Sequence, residues 1–189
     1  MCINKKVSLQ VFTLSMLSAI IILLKGTGGI IPFYLMAIGG MQLAEYFMWS
    51  GLNFTGNIIA ILSLLMHTML LPIYLGKLNR VHLIPLALSV YVIHKYLKNP
   101  QPSSGEENKT NLEWGFLKNF DKPTKIIMGL VFAGMFVYNN NLCFNNTPLY
   151  SILLLFMAML YNQSIDPLKY GSVWCFTSVI LLSLYGLLY

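Results

Sequence analysis

Gln42, Glu45 and Trp49 stand at i, i+3 and i+7 inside an apolar run over 30–52. That spacing puts an amide, a carboxyl and an indole N–H on one stripe of a helix. The run is long enough to cross a bilayer. A carboxylate within it costs about 2.5–3.5 kcal/mol on insertion scales, so such a group normally faces protein or water and has a partner. One chemistry open to this stripe is uptake and release of a proton or cation, with His67 as a second titratable group. The other reading is structural: a neutral Glu45 hydrogen-bonds Gln42, His67 or a hydroxyl and fixes helix register. In both, burial disfavours the ionised carboxyl.

The rest of the chain reads as the membrane-embedded support for that stripe. Of its 189 residues, 57% are hydrophobic and only 10% charged, with mean hydropathy +0.67; soluble chains carry roughly 25% charged residues. The longest polar segment, 95–125, is too short to fold alone. The first apolar stretch follows Lys5-Lys6, but no Ala-x-Ala-like site follows it, which argues against a signal peptide. Cys2, Cys143 and Cys175 have neither metal spacing nor a disulfide framework. There is no Gly-rich phosphate loop, no His-x-x-x-His pair and no nucleic-acid module, and 172–189 has no Lys for a retinal Schiff base. No metal, cofactor or nucleic-acid partner is expected.

Seven apolar segments can be drawn: 7–24, 30–52, 58–75, 81–97, 126–138, 148–161 and 172–189. The first four and the last approach the ~17–25 residues of a spanning helix; the fifth and sixth are short. The expected fold is all-α, a single integral membrane seven-helix bundle. Lys5, Lys6, Lys95, Lys98, Lys109, Lys118, Lys122, Lys125 and Lys169 fall on one side, and only Lys25, Lys77 and Arg80 on the other. The positive-inside rule then places the N-terminus in the cytoplasm and the C-terminus on the opposite side. The cytoplasmic loop 98–125 opens with turn formers, and the aromatic residues of 112–120 suit an interfacial half-helix or, alternatively, a cap over the bundle mouth.

Taking 53–57 as the turn between the second and third segments makes them antiparallel neighbours. By the 1.5 Å rise, Glu45 then lies roughly 10 Å and His67 roughly 13 Å from the cytoplasmic ends of their helices, within reach of each other. Thr13, Ser15, Tyr91, Thr177 and Ser178 fall at similar depth. The expected polar intramembrane site is therefore Gln42, Glu45, Trp49, His67 and Tyr91. His94, beside Lys95, is expected at the interface. Gly39-Gly40, and Gly129 with Gly134, are expected to let helices approach closely, and Pro72 and Pro85 to kink theirs.

The run from Gln42 to Trp49 resembles the Gln-Leu-x-Glu-x-x-x-Trp signature of small polytopic membrane protein families of bacteria, protists and large DNA viruses. The likeness covers 38–53 and extends more loosely through His67 to Pro85 and the seven-helix spacing. It implies the same fold and the same residues, and carries no activity with it. Met41 stands where a His would be needed for a metal role shared through that position.

Three functions fit. The first is a multi-pass channel or carrier for protons, cations or a small solute, with its site around Glu45. The second is a structural or interaction protein of a cellular or viral membrane, without transport. The third is a membrane enzyme acting on lipid, although the clustered His, Asp and Ser that hold zinc in seven-helix lipid hydrolases are lacking, so the sequence leans away from an enzyme. The lipid bilayer is the partner in all three, and an oligomer is left open. Topology is directly testable: cysteine-accessibility mapping should place positions 5 and 118 on the cytoplasmic face and position 189 on the other. Both termini on one face would end the charge argument.

Overall fold

The first helix buries three serines beside Val11, Ala19 and Ile22, and exposes its leucines. Over Lys5–Lys25 it buries Ser8, Ser15 and Ser18 at 3% exposure or less, while Leu14, Leu17, Ile20, Ile21 and Leu24 are 44–82% exposed. A helix surrounded by water does the reverse. A helix surrounded by lipid gains nothing from hiding leucine and packs instead through small and hydroxyl side chains. Among the described residues, two helical stretches are long and apolar enough to cross a membrane: Lys5–Lys25, mean hydropathy 2.3, and Asn53–Leu70, mean hydropathy 1.3.

The computed structural model describes residues 5–26, 29–103, 112, 114–143 and 183, and all regular structure among them is helical. Its long helices are α1 (Lys5–Lys25), α2 (Ile31–Trp49), α3 (Asn53–Tyr74), α4 (Leu83–Lys98) and α5 (Lys122–Cys143), with 3-10 turns at Arg80–His82 and Gly115–Asn119. The first four apolar segments thus become helices, but the third starts five residues earlier than expected. The fifth is 22 residues long and not the short segment 126–138. It starts early because Asp121 caps it, accepting from the Thr124 side chain and from the Thr124 amide at 3.2 Å, which together keep this exposed carboxyl below its ordinary titration range. It continues through Asn139–Asn141 to Cys143. The expected segments 148–161 and 172–189 lie outside the described residues, apart from a helical, buried Ser183.

Glycines fix where α2 and α3 end. Gly51 sits at φ +82°, and the amides of Gly51 and Leu52 return to the carbonyls of Met48 and Phe47 at 3.1 and 2.9 Å. Gly76 at φ +63° repeats the pattern on Ile73 and Pro72. Both are Schellman ends, which need a residue in the left-handed region. Pro85 therefore falls in a first helical turn, where no amide is needed, whereas Pro72, near the end of α3, removes one bond from the helical ladder.

α2 is the middle helix of the first three, packed against α1 on one side and α3 on the other. A Cβ at Gly39 would lie 3.0 Å from Ser15 Oγ, and one at Gly40 2.6 Å from Ser63 Oγ. At Gly56 of α3 it would lie 2.7 Å from the Ala44 carbonyl oxygen. These contacts run antiparallel, 15 with 39 and 8 with 45 on one seam, 63 with 40 and 56 with 44 on the other. At the far end Asn79 donates to the Tyr138 hydroxyl at 2.7 Å; at the near end Asn119 donates to the Asn99 carbonyl at 2.8 Å. α4 and α5 therefore alternate in direction as well. Gly39-Gly40 act as expected, whereas Gly129 and Gly134 have no described atom within 4 Å of a built Cβ and mediate no close approach among the described residues.

Gly56→Ala would press a methyl onto backbone. It should lower stability in detergent by about 1–3 kcal/mol, the usual cost of overpacking. Gly40→Ala meets only a hydroxyl that can rotate, and should cost clearly less. Equal thermal midpoints for the two variants would contradict the close α2–α3 contact.

Candidate functional site

Glu45 lies four residues before the end of α2 and is 1% exposed. The Ser8 hydroxyl of α1 approaches its Oε2 at 3.5 Å, the long limit of a hydrogen bond. One turn earlier Gln42, 4% exposed, lies on the same stripe, and its Nε2 has no hydrogen-bond partner among the described residues. Further along, the Ser15 hydroxyl donates to the Leu35 carbonyl beside Gly39. The α1–α2 seam is thus lined by hydroxyls from one helix and by an amide and a carboxyl from the other. Trp49 closes its end, partly buried, with an indole N–H that likewise lacks a described partner. Lys5 sits with its ammonium 5.2 Å from the Tyr46 ring centre.

The expected Glu45–His67 contact is not made as a hydrogen bond. His67 is held by the Ser63 backbone, and its Nε2 is buried without a described partner. The cause is register. With the turn at 50–52, Glu45 is roughly 6 Å from the end of α2, but His67 is roughly 21 Å from the start of α3. The seams differ too: Ser63 packs on Gly40 and Leu70 on the Ile30–Tyr34 cluster, so 63, 67 and 70 face the other side of α2. Tyr91 also leaves the expected site. It is 47% exposed, 5.8 Å from the Phe120 ring. With His94 and Leu83, Leu86, Ala87 and Val90 it lines an open groove of about 500 Å³ on the outer face of α4, away from Glu45. Thr13 is exposed and bonds the Leu9 carbonyl of its own helix. Thr177 and Ser178 lie outside the described residues.

Sequence reasoning missed Asn57, which it placed in a turn. Asn57 is fully buried in α3. Its Nδ2 donates to the Asn53 carbonyl at 2.8 Å and to Ser103 Oγ at 2.9 Å, its Oδ1 accepts from the Phe116 amide at 2.9 Å, and the Tyr96 hydroxyl also bonds its side chain. Asn53 Oδ1 accepts from the Ser103 amide at 3.0 Å, and Ser103 Oγ from Gly115 at 2.9 Å. Two asparagines one turn apart thereby dock the segments 99–103 and 114–120 on the helix ends. Leu112, Phe116 and Phe120, at 8% exposure or less, join the same apolar cluster as Met41, Ala44 and Met48. These aromatic residues face into the bundle, so the segment is a cap and not an interfacial half-helix. The Asn53/Asn57 spacing was the available signal, and it reads equally well as a turn.

No group of three or more His, Cys, Asp or Glu side chains gathers among the described residues. No protein-family model, no curated protein and no solved structure matches the chain.

Removing the Asn57 side chain would strand the Phe116 amide and Ser103, at about 1–3 kcal/mol for a buried unpaired group. Amide exchange at Gly115 and Phe116 should accelerate in Asn57→Ala well beyond its change in Asn99→Ala, whose side chain is exposed. Equal protection in both variants would take the docking role away from Asn57.

Proposed function

We propose that the chain is a multi-pass integral membrane protein, a seven-helix bundle with a cytoplasmic N-terminus, in which Gln42 and Glu45 form a proton, cation or small-solute site of a channel or carrier. The carrying observation is the buried amide nitrogen of Gln42, without a partner among the described residues, one turn from buried Glu45. A carboxyl that changes protonation in a dry interior calls for more donors when charged than when neutral. Ser8 supplies one donor at 3.5 Å, and the Gln42 N–H groups are a second on the same stripe. Membrane residence is supported by α1, which hides serine and shows leucine, and by the two stretches of sufficient length and hydropathy. The likeness of the Gln42–Trp49 run to small polytopic membrane proteins belongs to the same reading.

A second reading, a structural membrane protein, draws on how tightly the carboxyl is enclosed: Glu45 is 1% exposed, and the groove on α4 does not reach it. Proteoliposome flux under an imposed pH gradient separates the two. In a carrier or channel, Glu45→Gln and Gln42→Leu each lower the flux at least tenfold, with thermal midpoints near the parent's. His67→Ala leaves the flux unchanged, because His67 lies on the other seam. If the parent carries no flux in tight vesicles, Glu45→Gln is silent, and Gln42→Leu only stabilises by removing an unpaired amide, the stripe is a strut.

A further inference from the structure

We infer that the outer face of α4 binds an anionic glycerophospholipid of the leaflet on the N-terminal side, its acyl chain lying in the groove between Leu83 and His94 and its phosphate held by Lys95 and Lys98. The site rests on the reading of the chain as a multi-pass membrane protein, and is independent of what Glu45 does.

Angle around the helix sorts the residues of α4. Pro85, Ser89, Val92 and Tyr96 are turned inward. At 3.6 residues per turn, Leu83, Leu86, Ala87, Val90, Tyr91 and His94, which line the open groove, stand on the opposite face. That stripe runs on into charge, because Lys98 follows His94 and Lys95 follows Tyr91, each at i+4. His94, Lys95 and Lys98 are all exposed. The face is apolar along its length and cationic at one end, which matches a molecule with an apolar tail and an anionic head. Asp121, next to the Phe120 that packs on Tyr91, is already engaged by Thr124 and by the charge of Lys125.

Length agrees with this occupant. From Leu83 to His94 the groove runs roughly 16 Å at 1.5 Å per residue. One leaflet contributes about 15 Å, half of a hydrocarbon core about 30 Å thick. The groove therefore takes an acyl chain along its depth, and the lysine stems reach from its end to the headgroup level. Basic clusters at this depth attract anionic headgroups.

A second helix fits the same face poorly. Where helices of this bundle approach closely they do so through Gly39, Gly40 and Gly56, as helices in lipid generally do through small residues. Here Ala87 is the one small residue among Leu83, Leu86, Val90 and Tyr91, and Leu83 and Val90 stand 60% and 59% exposed above it. A narrow, flexible chain can settle over Ala87 between them, whereas a helix backbone is held off.

The full chain in detergent, equilibrated with equal amounts of phosphatidylglycerol and phosphatidylcholine, is read by native mass spectrometry. One phosphatidylglycerol should stay bound, preferred at least fivefold. Lys95→Gln with Lys98→Gln should abolish that preference, while Lys5→Gln with Lys6→Gln, which removes equal charge at the same end of the bundle, should keep it. Ala87→Trp fills the groove, leaves the cations in place and should also release the lipid; thermal midpoints report folding. In phosphatidylglycerol vesicles, a photo-reactive benzophenone side chain in place of Ala87 should crosslink to lipid. Retention of the preference in the Lys95/Lys98 or the Ala87 variant overturns the site. So does a crosslink within the chain or to a second copy, and so does equal loss in both lysine pairs, the mark of diffuse surface charge. A chain recovered in the soluble fraction of cells broken without detergent removes the membrane reading and the site with it. A chain that stays in carbonate-washed membranes yet holds no phosphatidylglycerol removes the site alone.

Discussion

Gly51 decides which side chains of this bundle can meet. Its left-handed conformation ends α2 after Trp49 and lets α3 begin at Asn53, leaving three residues between the helices. A longer turn would slide α3 along α2. Because the turn is tight, Gly56 faces Ala44, Gly40 faces Ser63, Asn57 becomes a buried helical residue, and His67 moves far from Glu45. A residue with a Cβ at φ +82° would be strained. The docking of the cap on Asn53 and Asn57 and the close packing of α2 on α3 both follow from that one backbone geometry.

The two faces of α2 then take different tasks. Toward α3 it offers glycine and alanine, which allow backbones to touch and gain dispersion contacts. Toward α1 it offers Gln42 and Glu45 to a line of serines. In lipid there is little hydrophobic drive to press helices together, so small residues set the distance and polar ones set the register. The exposed leucines of α1 do neither.

Much of this was readable from residue types and spacing. Helix positions follow from apolar length, the Gln42–Glu45–Trp49 stripe from its period, and the close approach at Gly39-Gly40 from residue size. What could not be read depended on competing local signals. Asn53, Thr55, Gly56 and Asn57 look like a turn, and only the tertiary contacts of Asn57 with Phe116 and Ser103 show them to be a helix start. That five-residue difference misplaced His67. Tyr91 went wrong for another reason: a position along α4 does not fix the rotation about its axis, and Tyr91 lies exposed on the outer face. The aromatic residues of 112–120 fit a membrane interface and a cap equally well, and the burial of Phe116 with its amide bonded to Asn57 of α3 decides for the cap.

Gln42 is the residue that separates a strut from a site. A buried polar network that serves only to hold register is most stable when every member is satisfied, and a half-satisfied one is worse than an apolar contact. Here Ser15 finds the Leu35 carbonyl, Asn57 spends both ends of its amide, and Ser8 reaches Glu45. Gln42 keeps a buried amide nitrogen with no described partner, on the same stripe as a carboxyl. Leucine would fill that position at lower cost if register were its task. On the proposed reading, that amide serves an acceptor that comes and goes beside it: a water, a solute, or the carboxylate itself in its charged form.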